Sequence, residues 1–218
     1  MLDLSRVVDA WPELSRGGLV TVQLFLCCVA VSLTVGTASA MLQVSRIPGG
    51  YWLSRIYVSA MRGTPLLVQL FVVFFTLPLI GIRNQAFLAA VIAIGLNSGA
   101  FVTEILRASV LNVPRGHVEA AEAIGMSSAQ VWARVILPQA FVTSLPALAS
   151  EFTILLKATP LASVIAVTEL TYAGQLVVAR TFQPTEVLLA VTLGYIAVAL
   201  CFTQLARWLE RRCAVFLP

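Results

Sequence analysis

A few polar and charged residues of this chain lie inside or beside long apolar segments, where such side chains are costly. Asn97 and Ser98 interrupt one apolar segment, and Glu151 and Lys157 lie within or at the end of another. Glu169 follows a shorter apolar run. Charged side chains at membrane depth usually face a bundle interior or a water-filled cavity. We therefore expect these five residues either to contact a polar solute in a pathway or to pack and pair at a subunit interface.

Other chemistries lack the residues that they need. A P-loop requires a glycine-rich backbone followed by Lys and Ser or Thr, but the only lysine, Lys157, follows Ile154-Leu155-Leu156 in an apolar stretch. An intramembrane hydrolase requires a base near a buried nucleophile, and the only histidine, His117, lies in a polar loop beside Arg115. Cysteine and histidine spacing suggests no metal site. We therefore expect no catalytic residue, no metal and no cofactor bound by this chain.

A polar, alanine-rich stretch at 119–138 separates two apolar segments. Its residues Glu119 and Glu122 are three positions apart and would share one helix face. Gly125 can end that helix by adopting a positive φ. Ser127 or Ser128 can then cap a second short helix that has Gln130 in its first turns. The pattern predicts a compact helix-turn-helix, followed by Pro138 at the start of the next apolar segment.

The composition requires a membrane protein to position these residues. Hydrophobic residues make up 59% of the chain and the mean hydropathy is +0.93, values that exclude an ordinary soluble domain. A transmembrane helix needs about 20 apolar residues, and the short alternating segments of a membrane barrel are absent from the sequence. We predict an all-α, single-domain protein over 1–218 with about five transmembrane helices, at 18–42, 64–82, 86–108, 136–158 and 185–207.

The connecting segments carry weaker signals. Residues 1–17 mix charged and apolar side chains and could form an interfacial helix. Residues 51–62 could form an amphipathic helix that lies on the membrane surface or leads into the second span. Thr64 is a candidate N-cap for that span. The segment 159–184 is too short in its apolar part to span directly, so we expect an external or re-entrant segment with Thr168 as a cap.

The distribution of basic residues predicts the topology. Nine of the 14 Lys and Arg residues fall on one side of the five-span arrangement. The positive-inside rule then places the N-terminus outside, the C-terminus in the cytoplasm and the loop 109–134 in the cytoplasm. Because the basic residues are scattered at segment ends, the net charge of +4 sets topology and gives no reason to expect nucleic-acid binding.

The stretch 119–138 closely resembles the "EAA loop" of bacterial ABC-importer permeases. That family has Glu-Ala-Ala, three residues, Gly, nine residues, Ile, one residue, Leu-Pro. The chain matches with Glu119-Ala120-Ala121, Gly125 and Leu137-Pro138, and has Val135 in place of Ile. The strings 62–69 and 96–107 resemble the polar amino acid branch of the same permeases. The resemblance covers roughly residues 18–210.

This resemblance implies a type I ABC-importer permease in the bacterial cytoplasmic (inner) membrane. Such a chain is not an enzyme, and it forms half of the translocation pathway with a second permease subunit, identical or paralogous. Two separate subunits bind ATP and Mg, and an extracytoplasmic solute-binding protein delivers the solute. The residues expected to couple the chain to the ATPase are Glu119, Ala120, Ala121, Glu122, Gly125, Leu137 and Pro138.

A polar amino acid as solute would need contacts for its carboxylate and its ammonium group. Lys157 and Arg180 could meet the carboxylate, and Glu151 and Glu169 the ammonium, while Asn97 and Ser98 could supply neutral hydrogen bonds. The alternative function is a self-contained secondary transporter of a small polar solute. That class usually has more spans and internal repeats, neither of which is evident in this sequence.

Overall fold

The computed structural model describes residues 9–45, 49–82 and 85–214, and all regular structure in these ranges is helical. We number the α-helices in chain order: α1 Trp11–Val44, α2 Gly50–Gly63, α3 Leu66–Thr76, α4 Ala86–Leu111, α5 Arg115–Ala123, α6 Ser128–Val131, α7 Leu137–Ala158, α8 Leu170–Thr181 and α9 Pro184–Ala214. Short 3₁₀ segments occupy Leu77–Ile80 and Thr159–Ile165, and a π-helical segment occupies Trp132–Ile136. The predicted all-α class is confirmed.

Among the described residues, four helical stretches are long and apolar enough to cross a membrane: Trp11–Val44, Ala86–Leu111, Ser128–Ile165 and Pro184–Cys213. A fifth crossing is possible only if α2 and Leu66–Ile80 count as one span, bent by 110° at their junction. Since α3 alone has 11 residues, it is shorter than the roughly 20 residues that a straight span needs. The prediction of about five spans is thus confirmed as four or five, and the second span is a broken helix.

The first span begins earlier than the sequence indicated. Residues 11–17 belong to α1 itself and do not form a separate interfacial helix, while residues 1–8 lie outside the described ranges. Pro12 is tolerated because it lies in the first turn, where its missing N–H has no intrahelical partner anyway. Gly17 does not interrupt the helix because it packs closely against Ala173 and Leu170 of α8.

Helix α4 lies at the centre of the bundle, and α1 packs closely against it. A Cβ atom on Gly36 would lie 2.5 Å from Val102 Cγ1, and one on Gly95 would lie 2.8 Å from Val31 Cβ. Small residues allow membrane helices to pack at such short range, where van der Waals contact drives association. Residues of α4 such as Ala89 and Ile94 are consequently buried, and α4 forms a fixed wall for the residues discussed below.

Candidate coupling loop and polar pathway

The turn of the 119–138 stretch has the predicted geometry. Gly125 adopts φ +82°, and its N–H donates to the Glu122 carbonyl at 2.9 Å. The N–H of Met126 donates to the Ala121 carbonyl at 3.1 Å. This pair of bonds is a Schellman motif, which satisfies the last carbonyls of a helix and needs a left-handed residue at the turn. The prediction for Gly125 is confirmed, and α5 ends where the sequence indicated.

The second short helix is capped by Ser127 and not by Ser128. Ser127 Oγ accepts a bond from the Gln130 N–H at 3.4 Å, and Gln130 Oε1 accepts one from the Ser127 N–H at 2.9 Å. This reciprocal capping box fixes the first turn of α6 at both donors. The two caps together make the segment between α5 and α6 a defined turn.

A small apolar cluster stabilises the loop on its inner side. Ala121, Val131 and Ile136 are buried in it, and Val118 and Trp132 pack against it. Ala121 therefore contributes to packing within the loop. Its predicted part in coupling to an ATPase stays a prediction, and with only 6% of its surface exposed Ala121 would act by supporting the loop.

The opposite face of the loop is open. Glu119, Ala120, Glu122 and Gly125 are all exposed, and Ile124 is 79% exposed at the turn. Small residues, two carboxylates and one large apolar side chain thus form a surface that another protein could approach closely. Glu119 and Glu122 are three positions apart in α5, and both are exposed, as expected for two residues on the same open helix face.

Gln139 joins this loop to α7. The proline at position 138 has no N–H to donate, and the preceding Trp132–Ile136 segment is π-helical, with the Leu137 N–H bonded to the Trp132 carbonyl. Gln139 Nε2 donates to the Val135 carbonyl at 2.9 Å, and Gln139 Oε1 lies 2.8 Å from His117 Nδ1. Because that oxygen can only accept, His117 Nδ1 is the donor. One side chain therefore ties α5 to the first turn of α7.

Leu137 and Pro138 are both exposed at the start of α7. Leu137 also lines an apolar groove of about 550 Å³ between α1, α4 and α7, together with Met41, Trp132 and Phe141. The two residues therefore lie at the first turn of α7, outside the turn at Gly125.

Ser98 and Glu151 meet inside the bundle. Ser98 Oγ of α4 donates to Glu151 Oε1 of α7 at 2.7 Å, and the two residues are 3% and 8% exposed. The bond occupies one carboxylate oxygen. Since α7 begins at the loop and carries Glu151, this contact is a direct link between the loop helix and the central helix α4.

Asn97 lies at the break between α2 and α3. Its Nδ2 donates to the Met61 carbonyl and to Gln69 Oε1, both at 3.0 Å. Gln69 Nε2 in turn donates to the Met61 carbonyl at 2.8 Å and to Thr64 Oγ1 at 2.7 Å. The two amides satisfy groups that the helix break would otherwise leave unpaired. The predicted N-cap role of Thr64 is wrong: Pro65 occupies the N-cap position of α3, without a side-chain cap bond.

Lys157 and Glu169 do not join this group. Lys157 is exposed near the end of α7, and no carboxylate of the described residues lies within 4 Å of its ammonium group. Glu169 is fully buried as the N-cap of α8, so the predicted cap Thr168 is wrong. The Glu169 carboxylate accepts bonds from the Thr171 N–H at 3.0 Å, the Tyr172 N–H at 2.9 Å and the Tyr195 hydroxyl.

Arg62 was missed as a functional candidate, because its position before a helix start suggested only an anchor. Its guanidinium lies 5.1 Å from the Phe101 ring centroid, and its neighbour Met61 accepts a bond from Asn97 through its carbonyl. Arg180, in contrast, pairs with Glu13. Gln69 was also missed, although a polar residue in an apolar run is the same signal that identified Asn97. Within the described ranges, no three His, Cys, Asp or Glu side chains cluster to hold a metal.

Comparison with known proteins gives one consistent family. Residues 32–215 match the family model described as binding-protein-dependent transport system inner membrane component. The L-cystine transport system permease protein of Bacillus subtilis (strain 168) is 41% identical over 192 residues, covering 88% of this chain and 82% of that protein. The glutamine transport system permease protein of Escherichia coli (strain K12) is 35% identical over 219 residues, covering 98% of each chain.

Solved structures agree with this result. A chain from the crystal structure of an amino acid ABC transporter with histidines superposes with a TM-score of 0.90 and 33% identity, covering 97% of this chain and 99% of that one. An inward-facing conformation of a methionine ABC transporter gives a TM-score of 0.79 at 18% identity, over 92% of this chain and 96% of that one. This second likeness shows the fold alone.

Proposed function

The chain belongs to the family of binding-protein-dependent transport system inner membrane components, as an ABC-importer permease of the polar amino acid branch, and we propose that it couples ATP hydrolysis on separate subunits to uptake of a polar amino acid. It pairs with a second permease, identical or paralogous, to form the pathway. Two ATPase subunits that bind ATP and Mg dock on its loop, and a solute-binding protein delivers the solute from outside. In this proposal the chain itself binds no cofactor.

The proposed orientation follows from the basic residues. The N-terminus lies outside the bacterial cytoplasmic membrane, and the C-terminus and the 109–134 loop lie in the cytoplasm, where an ATPase can reach the loop. Lipid surrounds the exposed apolar faces of α1 and α9, which carry large exposed side chains such as Leu26 and Leu193.

The observation that carries the proposal is the connection from the loop to α7. The open face of Glu119, Ala120, Glu122 and Gly125 is the proposed docking surface, and the Schellman turn and capping box keep its shape. The contact between His117 and Gln139 transfers a displacement of α5 to α7. A rigid element with two arrangements can then move the bundle when the ATPases close.

The proposed solute contacts lie where α4, α7 and the broken helix meet. Glu151 holds the ammonium group, Ser98 and Asn97 provide neutral hydrogen bonds, and Arg62 replaces Arg180 as the nearby cation for the carboxylate. Lys157 remains a proposed contact near the outer end of α7. Glu169 is left out, because its carboxylate is occupied by the cap of α8.

A pull-down from membranes tests the coupling role. The tagged chain is purified in mild detergent beside Gly125→Arg, which places a bulky charge on the open loop face. Thr185→Arg serves as the matched control, since Thr185 is also exposed but lies at the start of α9, away from the loop. We expect mass spectrometry to find an ATPase with a P-loop in the wild-type and Thr185→Arg samples and much less of it with Gly125→Arg.

Two outcomes would contradict the proposal. If the wild-type chain purifies without an ATPase, the alternative of a self-contained secondary transporter becomes the better explanation. If Gly125→Arg retains as much ATPase as the control, the ATPase binds elsewhere and the docking assignment fails.

A further inference from the structure

A cavity of about 820 Å³ opens between the end of α1, the helix α2 and the end of α4. Its volume is in the range of small-molecule sites. It lies at the same end of the bundle as the coupling loop, since Leu111, the last residue of α4, lines it and the loop follows directly. Its charged lining residues are Arg55, Arg62, Glu104 and Arg107. We refer to it as the vestibule.

The charges of the vestibule do not cancel. Arg107 pairs with Glu104 at 2.7 Å. Arg55 donates to the Tyr51 hydroxyl at 3.0 Å, and Arg62 stacks on an aromatic ring. Neither Arg55 nor Arg62 has a carboxylate within 4 Å among the residues that the structure describes. The vestibule therefore presents two net positive charges in a space with polar and aromatic walls.

Arg62 connects this vestibule to the proposed solute contacts. It follows Met61, whose carbonyl accepts the bond from Asn97. Arg62 therefore lies beside the hydrogen-bond network of Asn97 and also lines the vestibule. Arg55 lies on the same helix seven residues earlier, about two turns away.

We propose that the vestibule receives the carboxylate of the transported amino acid as it leaves the solute site, and that it selects zwitterionic and anionic amino acids against cationic ones. This inference rests on the proposed transport function and narrows its substrate class. A single opposite charge at Glu151 accommodates an ammonium group, but a second cationic group in the side chain would lie in a region of net positive charge. The arginines would repel this second cationic group, whereas they would attract a second carboxylate.

An anionic lipid headgroup could supply the same negative charge, and the experiment distinguishes the two sources. The permease with its co-purified ATPase is placed in nanodiscs of phosphatidylcholine or of phosphatidylglycerol. Equilibrium dialysis then measures the Kd of radiolabelled L-glutamate, L-glutamine and L-arginine. The variants are Arg55→Glu, which inverts one charge, and Arg55→Lys, which keeps it. Arg212→Glu is the control, because Arg212 lies on the tail of α9 outside the vestibule.

We expect glutamate and glutamine to bind more tightly than arginine to the wild type, Arg55→Lys and Arg212→Glu. In Arg55→Glu the glutamate Kd divided by the arginine Kd should rise by about tenfold, as expected for inverting one partly solvated charge. The preference should be the same in both lipids.

Three results would overturn the inference: an unchanged ratio in Arg55→Glu, arginine binding as tightly as glutamate to the wild type, or no amino acid binding at all. If Arg55→Glu leaves the ratio of the glutamate and arginine Kd values unchanged but removes a difference in Kd between phosphatidylglycerol and phosphatidylcholine nanodiscs, the vestibule is a lipid site. If the ATPase stays bound and any of these results is found, only the inference about the vestibule fails. If the ATPase is not retained, the proposed transport function fails as well.

Discussion

The proposed coupling loop, residues 109–134, contains two glycines that allow a matched test of its turn. A Cβ atom added to Gly116 or to Gly125 would have no neighbour within 4 Å, so neither Gly→Ala change creates a clash. Only Gly125 has a positive φ, at +82°. An L-residue in the left-handed region costs about 1–2 kcal/mol. In a helix such as α5, alanine is instead favoured over glycine by up to about 1 kcal/mol.

The two substitutions should therefore act in opposite directions. Gly125→Ala should weaken the Schellman turn by about 1–2 kcal/mol, a factor of about 5–30 in its population relative to distorted turns. Gly116→Ala should leave the turn intact and make α5 slightly more stable. If docking requires the native turn, ATPase affinity should fall by up to that factor in Gly125→Ala and stay within about twofold of wild type in Gly116→Ala.

The affinity is measured by titrating the detergent-solubilised permease with the ATPase that co-purifies with it. Solute-stimulated ATP hydrolysis in nanodiscs serves as the second readout. Equal affinity and equal stimulation in the two variants would refute the argument that the left-handed turn shapes the docking surface. Loss of both activities in Gly116→Ala would show that small size along α5, and not the turn, is what the ATPase requires.

Three further substitutions test separate links. Glu151→Gln should lower transport at least tenfold without loss of assembly, because it removes the charge that Ser98 contacts; unchanged uptake would remove Glu151 from the pathway. Gln139→Leu should preserve ATPase binding but reduce stimulated hydrolysis severalfold, since the bond to His117 is lost; full stimulation would show that α5 transmits motion by another route. Glu169→Leu should lower the free energy of unfolding by about 2–4 kcal/mol, because buried donors lose their acceptor. A melting temperature equal to that of the wild type would contradict the assignment of Glu169 as a structural cap.

The coupling loop could be predicted in detail because its determinants are local. A glycine that ends a helix and a serine three residues before a glutamine specify turns through backbone bonds within a few positions. Gly125 consequently lies where the sequence placed it, and Ser127 is one of the two caps that the sequence allowed.

The polar residues of the bundle were harder to assign because distant elements determine their roles. Glu169 resembled a pathway carboxylate, but Tyr195, 26 residues later, and two N–H groups of α8 occupy it. Thr64 and Thr168 resembled N-caps, yet the helices begin one residue later than expected and Pro65 and Glu169 hold those positions. The sequence shows that such polar residues are costly within apolar segments, but partners far away in the chain determine the role of each one.

Gln139, which contacts the loop helix α5, lies on the same helix as Glu151, and this gives the proposed mechanism a definite mechanical step. Gln139 and Glu151 are 12 residues apart on α7, a distance of about 18 Å along the axis, so a rigid shift at the loop also moves the carboxylate. Helix α4 is held against α1 by the close contacts of Gly36 and Gly95 and provides the fixed side. The bond from Ser98 to Glu151 is 2.7 Å long, and a relative shift of about 1 Å takes it beyond hydrogen-bonding distance. Movement of the loop by an ATPase would thus break the contact between α4 and α7 and release the carboxylate from the serine hydroxyl.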